Sequence, residues 1–78
     1  MAQFYFDLYD DLVTLDEEGA DLPDVNAARE RAIESIRDLI CREVKTGVVD
    51  LRSRIEVFGE GRNPLFTVGY ADALELRY

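Results

Sequence analysis

Apolar and polar residues alternate from the start of the chain. Over residues 3–9 (QFYFDLY), Phe4, Phe6 and Leu8 fall on one side, and Tyr5, Asp7 and Tyr9 on the other. A period of two predicts a half-buried strand. Asp10-Asp11 predicts a tight turn, because Asp tolerates turn geometry. Residues 12–16 (LVTLD) then return as a short second strand, and EEGADLP reads as a loop broken by Gly19 and Pro23. At Asp24 the period changes. Asp24 is a good N-cap, the helix runs to about Thr46, and Gly47 stands where a left-handed C-cap is wanted. Val25, Ala28, Ala32, Ile33, Ile36, Leu39, Ile40 and Val44 fall within an arc of about 160° at helical spacing. That width suits packing on a sheet. Glu30, Arg31, Glu34, Asp38, Arg42 and Lys45 take the other side, with Asp38–Arg42 as an i,i+4 pair.

Alternation resumes over residues 51–58 (LRSRIEVF), with Ile55 and Val57 inward and Arg54, Glu56 and Phe58 outward. GEGRNP predicts a hairpin loop in which Gly59, Gly61 and Asn63 can take positive φ. Residues 65–70 (LFTVGY) make the last strand, and ADALELRY continues either as a turn of helix or as an extended piece. The order is β-β-α-β-β. Placing the first strand between the second and third gives strand order 2-1-3-4, all neighbours antiparallel, with one right-handed crossover. The predicted fold is therefore a single small α+β domain over residues 1–78, a four-stranded antiparallel sheet with one long helix on one face.

Composition narrows the function classes. The chain has 78 residues, one Cys and no His. A domain this small rarely draws more than about 3–5 kcal/mol from one core, and self-association is a common supplement. With no His the usual general base is missing, and no nucleophile–base–orienter set stands out, so no enzyme is expected. One Cys without His argues against structural zinc. Cys41 falls on the flank or exposed side of the helix, a surface thiol. The first residues follow a strand pattern rather than a secretory leader pattern, no apolar run approaches a membrane span, and the lone Cys suits a reducing compartment. A cytoplasmic location is expected.

Charge is unevenly placed. The net charge is −8, and residues 1–28 hold eight acids with no Lys or Arg, while acids and bases cancel in the remainder. The strong acidity argues against nucleic-acid phosphate and anionic membrane as partners. The segment Asp16–Asp24 lacks the spacing of a calcium loop, so no metal or other cofactor is expected. Asp21 and Asp24 suit a helix N-terminus, and Asp16, Glu17 and Glu18 would keep a loop and an edge strand solvated. Asp16, Glu17, Glu18 and Asp21 are also the candidate docking site for a basic protein partner. On the sheet face away from the helix, Tyr5, Tyr9 and Phe58 project beside Asp7, Arg54 and Glu56. Without a basic surround these rings are not a base-stacking platform. They are the candidate surface for a homo-oligomer, a dimer first, unless they only cover the face with their hydroxyls in water.

FYFDLYD, DEEGADLPD, AARERAIESIRDL and RIEVFGEGRNPLFTVGYADAL, in this order, resemble a family of short, mainly alphaproteobacterial proteins classed as a domain of unknown function. The most specific part is Asp16, Glu18, Gly19, Leu22, Pro23 and Asp24 leading into Ala27, Ala28 and Arg29. The chain departs from the pattern at Asp10-Asp11, where Asp-Gly is frequent, and at Val68-Gly69-Tyr70, where Val-Pro-Phe is usual. The resemblance implies a fold class and no established activity. A shorter analogy links the acidic Gly-containing segment and Ala-rich helix to HicB-like antitoxins. With self-association as the first functional expectation, an acidic regulator or antitoxin-like protein acting through its N-terminal hairpin and loop is the second.

Overall fold

The computed structural model describes residues 1–77. Five strands and one long helix make up the domain. Strand β1 covers Ala2–Tyr9, β2 Val13–Thr14, β3 Ala20–Leu22, β4 Arg54–Phe58 and β5 Pro64–Gly69. Helix α1 covers Val25–Thr46, and a single helical turn, α2, covers Tyr70–Ala73. All pairs are antiparallel, in the order β2-β1-β4-β5, with β3 also on β1. The expected order of neighbours is present in an open antiparallel sheet.

The sheet has a fifth strand where a loop was expected. Ala20–Leu22 pairs with Ala2–Phe4, while Val13–Thr14 pairs with Leu8 and Tyr9. The returning chain thus touches both ends of β1 and bows away from its middle. The second strand is correspondingly shorter than residues 12–16. The preceding turn is also wider than Asp10-Asp11: the Asp10 N–H donates to the Leu12 carbonyl, and the Asp10 carboxylate accepts from the Leu12 N–H.

Helix α1 has the predicted ends. The Asp24 carboxylate accepts from the Ala27 N–H at 2.8 Å, and Gly47 takes φ 85° with its N–H donating to the Val44 carbonyl. Its buried stripe is Ala28, Ala32, Ile36, Leu39 and Ile40, packed against Phe4, Ile55, Val57 and Val68 of the sheet. Val25 and Val44 belong to the same arc but are 50% and 60% exposed. The reason is length. Twenty-two residues of helix span about 33 Å, whereas a five-residue strand spans about 17 Å, so both helix ends overhang. The Asp38–Arg42 ion pair is not formed; the ion pairs among the described residues lie elsewhere.

Strand β4 starts at Arg54 rather than Leu51, with Ser53 buried just before it. The undecided tail begins as α2 and then becomes extended at Leu74; Tyr78 lies outside the described residues. Tyr70 opens α2 instead of ending the last strand. Its ring and Ala73 are buried, its hydroxyl donates to the Glu43 carboxylate, and Arg37 Nε donates to the Ala73 carbonyl at 2.9 Å. Burial first, and the Glu43 carboxylate second, push the Tyr70 phenol up to about 12.

Candidate functional site

The side of the sheet away from α1 carries Val13, Tyr5, Asp7, Tyr9, Arg54, Glu56, Phe58 and Thr67, as strand register requires. Asp7 was expected to project into solvent here, yet it is only 1% exposed. The cause is a polar clasp drawn from three distant segments. Asp7 Oδ1 accepts from the Asp16 N–H at 2.9 Å, and Asp7 Oδ2 accepts from Arg62 Nη2. Arg62 Nη1 reaches on to the Asp16 carbonyl at 3.0 Å.

Asp16 has a structural role beyond solvating a loop. Its carboxylate accepts from the Phe6 N–H at 3.1 Å and from the Gly19 N–H at 3.0 Å. The Phe6 N–H lies in the gap between β2 and β3, where no strand supplies a carbonyl. A side-chain carboxylate therefore completes the β1 edge. Gln3 Nε2 adds a bond to the Glu18 carbonyl at 2.8 Å. Gly19 makes the loop possible. It has φ 72°, and a Cβ there would stand 2.6 Å from Gln3 Nε2 and 2.8 Å from the Phe4 carbonyl oxygen.

The loop after β4 supplies Arg62 from a 3-10 turn over Glu60–Arg62. Positive φ occurs at Gly61 (67°) and at Arg62 (62°), while Gly59 and Asn63 have negative φ. The expected positions Gly59 and Asn63 are thus corrected, and a non-glycine residue takes the left-handed conformation. That conformation costs Arg62 about 1 kcal/mol, and the bonds to Asp7 and Asp16 offset it. The Arg62 guanidinium also lies 5.0 Å from the Tyr5 ring centroid and 4.6 Å from that of Phe58, and Arg54 lies 4.3 Å from Tyr9. The three aromatic candidates are therefore half-buried, each beneath a guanidinium. Arg62 and Asp7 are the members that sequence reasoning left out of this site. The only local signal was an acid between two tyrosines in an alternating strand.

The acidic candidates are split by the fold. Asp16 turns its side chain inward, whereas Glu17, Glu18 and Asp21 are exposed. A shallow depression of about 530 Å³ lies beside them, bordered by Phe6, Leu15, Arg31 and Ser35. A larger open hollow of about 830 Å³ sits between the β1–β2 turn and the end of α1, with Asp10, Asp11, Val48, Val49 and Leu51 on its rim. Among the described residues no group of three or more His, Cys, Asp or Glu side chains converges to hold a metal ion. Cys41 is exposed on α1. None of the described helices is long and apolar enough to cross a membrane.

An α+β domain with one long helix on a single sheet, and a polar clasp on the sheet's open face, is thus the class of protein that the structure defines. The chain matches the model of a domain of unknown function, DUF6894, over residues 3–71, and it belongs to that family. Neither the curated proteins nor the solved structures compared with it include a match. Nothing in these comparisons supports the analogy to HicB-like antitoxins.

Proposed function

We propose that this domain is a non-catalytic protein–protein interaction module that associates with itself in the cytoplasm. The observation that carries the reading is the one-sided sheet. Helix α1 covers one face, and among the described residues the other carries a layer of Tyr5, Tyr9, Phe58, Arg54 and Arg62 with no helix packed over it. Tyr and Arg are the residue types that supply binding energy at protein interfaces. Exposed Val13 and Leu15 adjoin them at one side and Leu65 at the other. The lone surface thiol and the absence of His agree with a role in contact rather than chemistry. Sedimentation equilibrium at micromolar concentration tests this reading. A dimer or higher assembly is expected, and a strict monomer rejects it.

A second reading is favoured by the pinned loop. Asp16 holds the loop from within, so Glu17, Glu18 and Asp21 are presented outward on a fixed frame, as a docking site for a basic protein would require. Capture of a basic partner that is lost on combined Glu17→Gln, Glu18→Gln and Asp21→Asn substitution, while Asp16 is kept, supports it. Capture unaffected by those changes rejects it.

A further inference from the structure

The two edges of the sheet differ in kind. At the β1 edge, β2 supplies two residues and β3 three, and the Asp16 carboxylate occupies the Phe6 N–H between them. Glu17 and Glu18 are exposed beside that plug. Short strands, an inserted carboxylate and surface acids all prevent a sheet from adding another strand. Strand β5 has none of these devices. It is six residues long with no charged side chain, and its irregular pairing with β4 is confined to the Val57/Phe58 end. Pro64 stands first, where it removes only its own N–H. Among the described residues, no hydrogen bond reaches Leu65–Val68 from any element except β4.

Resting on the self-associating reading above, we infer that β5 is the contact strand and that its occupant is β5 of a second copy, joined antiparallel into one continuous sheet. Charge favours this edge. Each copy carries −8, but the acids of the first hairpin and of the 16–21 loop lie at the far end of the sheet. Two copies that meet at β5 therefore meet where repulsion is least. Closure favours a second copy. The plugged edge cannot receive β5 head to tail, whereas β5 against β5 is self-complementary and leaves no open edge, giving a dimer rather than a filament. Register follows from Pro64. Without its N–H the ladder spans Leu65–Gly69, centred on Thr67, so Thr67 opposes Thr67 and Phe66 opposes Val68. Paired side chains then share a face, as an antiparallel ladder demands.

Sedimentation equilibrium of the full chain and of Thr67→Lys tests the inference. Thr67 is exposed and opposite Glu56 within its own copy, so the new ammonium has a local partner and the fold is kept, which circular dichroism and melting verify. In the dimer two ammonium groups would stand face to face. The dissociation constant should rise about tenfold or more, and Leu65→Lys should act in the same direction. Val48→Lys, in the exposed loop after α1, should leave it unchanged. Concentration-dependent protection of the Leu65–Gly69 amides in hydrogen exchange is the matching signature. A wild-type dimer indifferent to both β5 changes but dissociated by Val13→Lys, on the open face, overturns the edge and leaves self-association standing. A wild-type monomer overturns both.

Discussion

The two faces of the β-sheet are sealed by different chemistry. Below it, the apolar side chains of Ala28, Ala32 and Ile36 of α1 meet those of Ile55, Val57 and Val68. Above it, Asp7 is as deeply buried as Val57, yet its carboxylate is held by Arg62 and the Asp16 N–H. Apolar packing is non-directional, so its loss scales with the volume removed. A buried carboxylate is different, because taking away one partner leaves the other desolvated and unmatched. The lower face should therefore respond to substitution by degrees, and the upper face should respond to any break at all.

The largest effect expected is at the lower face. Ile36→Ala should cost about 4 kcal/mol in urea unfolding, and Ile36→Val only about 1 kcal/mol. Since a domain of this size holds few kcal/mol in reserve, Ile36→Ala should be largely unfolded at 25 °C. At the upper face, Asp7→Ala and the near-isosteric Asp7→Asn should both cost about 2–3 kcal/mol, a little below the range for breaking a fully buried pair because Arg62 is partly solvated. If Asp7→Asn proves as mild as Ile36→Val, the contrast between the faces is wrong. Arg62 offers a finer test. Arg62→Gly loses the ion pair but relieves the positive φ, so it should be about 1 kcal/mol more stable than Arg62→Ala.

Alkaline titration separates a third environment from both faces. Tyr70 is raised to about 12 in the folded chain, above the usual tyrosine value of about 10. Between those values the unfolded chain has lost its proton while the folded chain keeps it. The contribution of Tyr70 is therefore fully present below about pH 10 and is lost as pH rises towards 12. Phenolate absorbance should show Tyr70 ionising late, and Tyr70→Phe should remove both the late step and the extra pH dependence. The smallest effect is at the helix start, where Asp24→Ala should lower the melting temperature by an amount equivalent to about 1 kcal/mol.

Legibility in the sequence tracked the distance over which each feature is decided. The Asp24 cap and the Gly47 terminator act on residues within one turn of themselves, and both were readable. So were the inward sides of β1 and β4, because alternation needs no knowledge of the partner strand. The strand at Ala20–Leu22 was missed because three residues carry too little pattern, and it forms only against Ala2–Phe4. Asp16 was counted among solvent-facing acids because nothing nearby announces that the Phe6 N–H, ten residues back, lacks a carbonyl. Asp7 and Arg62 lie 55 residues apart, and their pairing depends on the sheet having already brought β1 beside the loop after β4.

By itself, then, the sequence determined the order and type of the elements, the helix ends, the apolar stripe and the uneven charge. These depend on periodicity and on hydrogen bonds closed within a few residues. Only the tertiary structure decided which acids are spent inside the fold and which are free, which aromatic rings lie under arginines, and which edge of the sheet is left open. A polar side chain has no intrinsic preference for core or surface. Its place is set by whether the fold brings it a partner, and that partner is usually far away in the chain.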